Sequence, residues 1–220
     1  MESLQATLVN VARLLPRLTD GILVTLEVSA LALIWSIVWS LLLLPLRMSS
    51  VTGIAQVARG YVEVVRNTPL LLQMYLLYFG LPLLGIPLSA MATGVLAIGL
   101  QHGAYLVEIY RAAIRSISRE QHDAARALGL RPFTAFRLII FPQALMRVLA
   151  PLTNQSIVLV KDTTLVSAIT VMDLTLVGKM IAERSAASDA FVVVAAFYLA
   201  LTSILGFVHR VVEHRYAQRA

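Results

Sequence analysis

Long apolar runs separated by arginine-rich polar stretches set the pattern of this chain. A helix needs about 20 mostly apolar residues to cross the hydrocarbon core of a bilayer. Five segments approach that length: 21–46, interrupted only by Glu27; 67–84; 89–110; 142–160; and 191–208. The fourth is the most polar, because Arg147, Pro151, Asn154 and Gln155 all fall within it. The pattern predicts an all-α, polytopic membrane protein with five transmembrane helices. Between the first two spans, residues 53–65 place Ile54, Val57, Ala58, Tyr61 and Val65 on one face of an amphipathic helix, which reads as an interfacial element leading into span two.

Composition supports this reading. Of 220 residues, 59% are hydrophobic and 14% charged, where soluble domains run nearer half and a quarter. Cysteine is absent, which excludes disulfides and thiolate chemistry. The net charge of +6 would suit nucleic acid, but the arginines are distributed by loop. Arg47, Arg59 and Arg66 separate spans one and two; Arg111, Arg115, Arg119, Arg126, Arg131 and Arg137 separate three and four; Arg210, Arg215 and Arg219 follow span five. The alternate loops lack this excess. Residues 80–90 carry no positive charge; Lys179 and Arg184 are outweighed by Asp173, Glu183 and Asp189, while Glu2 and Asp20 balance Arg13 and Arg17. The positive-inside rule then expects an external N-terminus (residues 1–18), a cytosolic C-terminal tail (211–220) and an odd number of spans. No basic segment followed by a short apolar run and cleavage site opens the chain, so no removable signal peptide is expected.

The stretch between spans three and four, residues 115–140, reads as a helix–glycine–helix hairpin. Ser118 and Gln121 have the spacing of a capping box. Gly129 suits a left-handed helix stop with Leu130 making the apolar contact, and Pro132 is preorganised to begin the next helix. Ala124, Ala125, Ala127 and Leu128 give a smooth surface on which another body can sit closely. A capped helix resting on lipid headgroups would have the same composition. A DNA-reading helix-turn-helix has this outline too, but membrane spans on both sides argue against it.

At these residues the chain resembles a known family. Asp123-Ala124-Ala125, Gly129, Ile139 and Pro142 have the spacing of the EAA signature in permease subunits of bacterial ABC importers. Four flanking blocks look like the polar amino-acid uptake branch, the histidine/glutamine-type permeases: Arg66-Asn67-Thr68-Pro69-Leu70-Leu71-Leu72-Gln73, Tyr78-Phe79-Gly80-Leu81-Pro82, residues 104–111 and residues 159–167. The likeness covers residues 19–210, with Asp123 in place of the usual Glu and Phe141 in place of the usual Leu. It implies a type I importer fold in the bacterial inner membrane. Asp123, Ala124, Ala125, Leu128, Gly129, Ile139 and Pro142 would form the element that couples to a cytosolic ABC ATPase dimer. The other implied partners are a second permease subunit, identical or related, and a periplasmic or lipid-anchored solute-binding protein, with lipid around the spans. ATP and Mg would bind the partner ATPase, since this chain has no Gly-x-x-x-x-Gly-Lys-[Ser/Thr] phosphate loop and is not itself read as an enzyme. The substrate implied is a polar amino acid or a related zwitterion such as an opine or ectoine-like derivative.

Ionisable groups inside spans are expensive and face cavities or partners. Arg66, Gln73, Glu108, Lys161 and Asp162 are the candidate substrate-pathway residues, since a zwitterion needs both an acid and a base. Glu108 also has Arg111 at i+3, and Lys161 and Asp162 also read as groups paired with neighbours for structure alone. His102 reads as a packed, hydrogen-bonded histidine; no second ligand sits at metal spacing. Gly94, Gly99 and Gly103 permit close packing of span three, and Pro142 and Pro151 are expected to kink span four. Two other classes fit the sequence less well. A membrane enzyme would need a convergent His/Asp/Glu or Ser/His cluster, and a stand-alone channel or secondary transporter would leave the hairpin unexplained.

Overall fold

Backbone at membrane depth must satisfy its own hydrogen bonds, and helices do so within a single segment. The computed structural model describes residues 2–185 and 189–217, and these are helical with no strand among them. The helices are α1 (Glu2–Arg47), α2 (Thr52–Asn67), α3 (Leu70–Leu83), α4 (Ala90–Arg115), α5 (Arg119–Ala127), α6 (Pro132–Ile169), α7 (Leu174–Ser185) and α8 (Asp189–Ala217). The side chains of Glu2, Arg13, Arg17, Arg184, Asp189, Arg215 and Arg219, counted in the charge reading, lie outside the described ones.

Four segments are long and apolar enough to cross a membrane: Leu18–Arg47, Ala90–Arg115, Pro132–Ile169 and Ala190–Val208. The expected second span is shorter than read, Leu70–Leu83. Several boundaries move. The first helix extends back to Glu2, so the segment expected to precede it is continuous with it. The helix of span three runs on to Arg115. The helix of span four starts at Pro132, so residues 132–140 of the expected hairpin are continuous with it. Within α6, a wide π turn (Phe136–Ile140) precedes Phe141-Pro142, and the last turns, Thr163–Ile169, tighten to 3-10 geometry. Helix α7 was not expected: it is too short for a span window and carries Lys179, Glu183 and Arg184. Its start is pinned on α1, where Thr25 Oγ1 accepts from Leu174 N at 3.0 Å and donates to Gly21 O at 2.9 Å. Buried Asp173 caps it, accepting from the N–H groups of Thr175 (3.1 Å) and Leu176 (3.0 Å). Burial pushes the Asp173 carboxyl up, against the N–H bonds that pull it down.

The core sits between α1 and α4. A Cβ on Gly99 would lie 2.8 Å from Trp35 Cγ, and one on Gly103 would lie 2.8 Å from Trp39 Cδ1. The two glycines, one turn apart, are thus the seats of two tryptophans, whose rings stack with centroids 6.0 Å apart. Trp39 Nε1 donates to Tyr61 Oη at 2.7 Å, fastening α2 to the same seam. The inward face of α2 is Ala58 and Val62, with Tyr61 and Val65 half-buried, while Ile54 and Val57 are exposed. Buried hydroxyls of Ser29, Ser36 and Ser40 return their protons to carbonyls one turn back, as apolar depth requires.

Candidate functional site

The hairpin between α4 and α6 is built around Gly129. Its φ is +69°, a left-handed conformation that β-branched residues resist. Gly129 N donates to Arg126 O at 2.9 Å and Leu130 N to Ala125 O at 3.1 Å. This pair of bonds is a Schellman stop and satisfies the last carbonyls of α5. The expected capping box does not form. Ser118 occupies the N-cap position with extended backbone, but its side chain makes no cap bond. Gln121 turns instead toward α6, where its Oε1 accepts from Gln143 Nε2 at 3.4 Å.

The face of α5 that points outward differs from the one expected. Ala125 is 1% exposed and packs inside this chain. It is a spacer that lets α5 lie against the start of α6, not a contact for another body. Asp123, Ala124, Ala127 and Leu128 are exposed, with Leu128 at 74%. Pro142 is exposed and Ile139 half-buried. Phe133 (74% exposed) and Leu138 continue the apolar outer surface, and the sequence reading missed both. Arg115, Arg119, Arg126, Arg131 and Arg137 surround it, all exposed.

Inside the membrane the candidate polar residues separate into two groups. Glu108 accepts from Arg47 Nε at 2.7 Å and from Arg111 Nε at 2.8 Å. Its carboxylate is engaged at the ends of α1 and α4, where it ties the two helices together. Gln73 is also committed, since its Nε2 donates to Val65 O (2.8 Å) and Thr68 O (3.1 Å), closing the elbow between α2 and α3. Arg66 stacks on Tyr105, with Cζ 4.7 Å from the ring centroid. Arg147 lies at the foot of span four with Nη1 on Ser116 O (2.5 Å) and Ser116 Oγ (2.7 Å).

The second group converges. His102, 2% exposed, has Nε2 3.0 Å from Asp162 Oδ2 and Nδ1 2.8 Å from Gln155 Nε2. Gln155 donating to Nδ1 leaves the ring proton on Nε2, where it meets the carboxylate. The packed histidine expected from sequence is therefore an orienting group for Asp162. Asp162 Oδ1 has no partner among the described residues, and the side chain is partly exposed. Lys161 is exposed and makes no ion pair among the described residues. Asn154 and Val158 are exposed on the same side of α6, and Asn154 to Lys161 covers about 10 Å of helix. No group of three or more metal-ligating side chains occurs among the described residues.

Comparisons with known proteins agree with this architecture. The glutamine transport system permease protein GlnP of Escherichia coli strain K12 is 37% identical over 204 residues, covering 91% of this chain and 93% of that one. The nopaline transport system permease protein NocM of Agrobacterium fabrum is 33% identical over 201 residues, covering 86% and 83%. A crystal structure of an amino acid ABC transporter with histidines superposes with a TM-score of 0.89 at 33% identity, covering 94% of this chain and 97% of that one. The family model for binding-protein-dependent transport system inner membrane components matches residues 33–218. The chain belongs to that family.

Proposed function

We propose that this chain is the membrane-spanning subunit of an ATP-driven importer of a polar amino acid or related zwitterion, with the substrate path along the exposed side of α6. One observation carries the reading: α6 buries little of itself in this chain, yet its exposed side carries Asn154 and Lys161. A lysine held in hydrocarbon is costly, up to about 2.5–3.5 kcal/mol at mid-membrane and less toward the helix end where Lys161 lies. Helix α8 makes the contrast, being still less covered from Ala190 to Val208 but free of charge. Lipid suits α8. The side of α6 calls for water and a second permease subunit.

Along that side, Asp162 is the group for an ammonium. His102 holds one carboxylate oxygen, Gln155 holds His102, and the free oxygen accepts from the substrate. Lys161 supplies the charge for the substrate carboxylate. Solutes delivered by a binding protein would enter from the outer face, and the N-terminus would be external. At the cytosolic face, Asp123, Ala124, Leu128 and Gly129 form the outer end of the hairpin that docks on the ATPase, with Ile139 and Pro142 at its root. ATP-driven closure of the motor would move that hairpin and with it α6. Hydrolysis, ATP and Mg belong to the partner.

The test is reconstitution with the ATPase and binding protein in proteoliposomes. Asp162→Asn should keep the ATPase bound and reduce uptake by about tenfold or more, the loss of one charge-assisted hydrogen bond. Unchanged uptake would remove Asp162 from the path. Failure of the wild-type chain to bind any ATPase would remove the function itself.

A further inference from the structure

The hairpin is tied to the spans by two side chains that lie outside the signature residues. Helix α4 ends at Arg115 with Ser116 as its C-cap. A helix C-terminus leaves carbonyls unpaired and carries partial negative charge. Arg147, on α6, brings Nη1 to Ser116 O at 2.5 Å and to Ser116 Oγ at 2.7 Å. The Ser116 hydroxyl proton is already spent on Ala113 O at 2.7 Å, so Oγ is a true acceptor for the guanidinium. One turn nearer the hairpin, Gln143 Nε2 donates to Ile139 O at 2.9 Å and approaches Gln121 Oε1 on α5 at 3.4 Å. The two rungs bracket the Ser116–Ser118 turn that leads into α5.

The π turn puts both rungs on the correct side of α6. Phe141 N–H reaches back to Phe136 O, one residue farther than an α-helix allows. Pro142, lacking an N–H, fits just after this widened turn. Proline alone does not create it, because Pro45 and Pro151 stand in unbroken α-helix. The additional residue turns the Pro132–Ala135 segment by about 100° relative to Gln143 and Arg147. Without it, the hairpin and the rungs would face different directions.

We infer that Arg147, seconded by Gln143, is a positioning residue that latches the end of span three and the docking hairpin to span four, so that the three move as one body. The inference rests on the proposed importer function and adds to it a residue whose loss separates ATP hydrolysis from transport. The docking surface of α5 points away from both rungs, so the ATPase stays bound when the latch is opened.

The experiment uses the whole transporter in proteoliposomes and reads substrate moved per ATP hydrolysed. Arg147→Gln should recover the ATPase at wild-type stoichiometry and retain hydrolysis, while transport per ATP falls about tenfold, the worth of a charged hydrogen bond. Arg147→Lys should restore part of that ratio, since one ammonium reaches one acceptor. Ser116→Ala removes only the hydroxyl acceptor and should lower the ratio by about threefold, half that free energy. If Arg147→Gln does not accumulate, Ser116→Ala and Arg147→Lys decide. A wild-type ratio in both of these, or in Arg147→Gln where it accumulates, overturns the latch. So does equal loss of hydrolysis and transport, which marks a purely structural role. Failure of the wild-type chain to couple at all would instead overturn the importer function.

Discussion

Gly99→Ala adds one methyl group at the tightest point of the α1–α4 seam. The new Cβ would stand 2.8 Å from Trp35 Cγ and 3.1 Å from its Cβ, and closer still to Cδ1. The obstacle is the root of an indole ring, which has no flexible end to swing away. Overpacking of this kind costs about 1–3 kcal/mol. Displacing Trp35 also loosens its stack on Trp39, worth about 0.5–1.5 kcal/mol. Against this stands the gain of about 1 kcal/mol from replacing a helical glycine by alanine. The balance is a loss of about 2 kcal/mol. Gly60→Ala is the internal control: it sits in α2 with nothing within 4 Å of the added Cβ, so it keeps only the helix gain of about 0.5–1 kcal/mol. The two alanines should therefore move stability in opposite directions. Thermal unfolding of the detergent-solubilised protein, followed by tryptophan emission, measures both. With about 2–4 °C per kcal/mol for a chain of this size, Gly99→Ala should fall by about 4–8 °C while Gly60→Ala rises. If Gly99→Ala matches Gly60→Ala, the glycine-seated tryptophans are not what brings the two helices together.

Four further outcomes are expected. Asp173→Ala should lose about 2 kcal/mol, because two N–H groups at the start of α7 lose their acceptor, whereas Asp173→Asn keeps an acceptor and most of the stability. Burial raises the Asp173 carboxyl in the folded state, so its contribution is greatest below the unfolded value of 3.8 and is lost as pH rises through the raised one; the pH-dependence of thermal unfolding should flatten in Asp173→Asn. In pull-downs of the partner ATPase, Leu128→Asp should weaken recovery by about tenfold through charge placed on the exposed docking surface. Gly129→Val should cost the hairpin about 1–2 kcal/mol in backbone strain and reduce uptake, read in the same cells. Topology reporters should score cytosolic after Arg215 and external near Gly85, and the same side for both would overturn the orientation.

The long spans were readable because apolar length has a single physical cause. Segments such as Leu18–Arg47 and Ala190–Val208 follow from it directly. Gly129 was also readable, since only a helix stop needs a glycine there. What escaped depends on partners distant in sequence. Nothing near Glu108 announces Arg47, and nothing near Arg147 announces Ser116, because those contacts exist only once α1, α4 and α6 are side by side. Helix α7 escaped because a search for spans passes over a short helix with charges. The inward turn of Ala125 had little signal, because Ala124, Ala125 and Ala127 are alike in sequence and only the packing of α5 separates them. The π turn before Phe141-Pro142 has only weak marks in sequence, since the same chain carries prolines without it.

Helix α3 gives the protein an uneven thickness. Leu70–Leu83 extends about 21 Å, where the hydrocarbon core is about 30 Å. If α3 alone crosses, Thr68-Pro69 and Gly85 are drawn toward apolar depth, and the Gln73 amide bound to Val65 O and Thr68 O would take the place of water at that elbow. Hydrophobic mismatch of this size draws the surrounding lipid inward on one flank. The annulus around the protein is then lopsided: thin beside α3 and of ordinary depth beside α8. Elastic energy stored in that thinned flank changes with acyl-chain length, so the bilayer itself becomes a load on any movement that tilts α3.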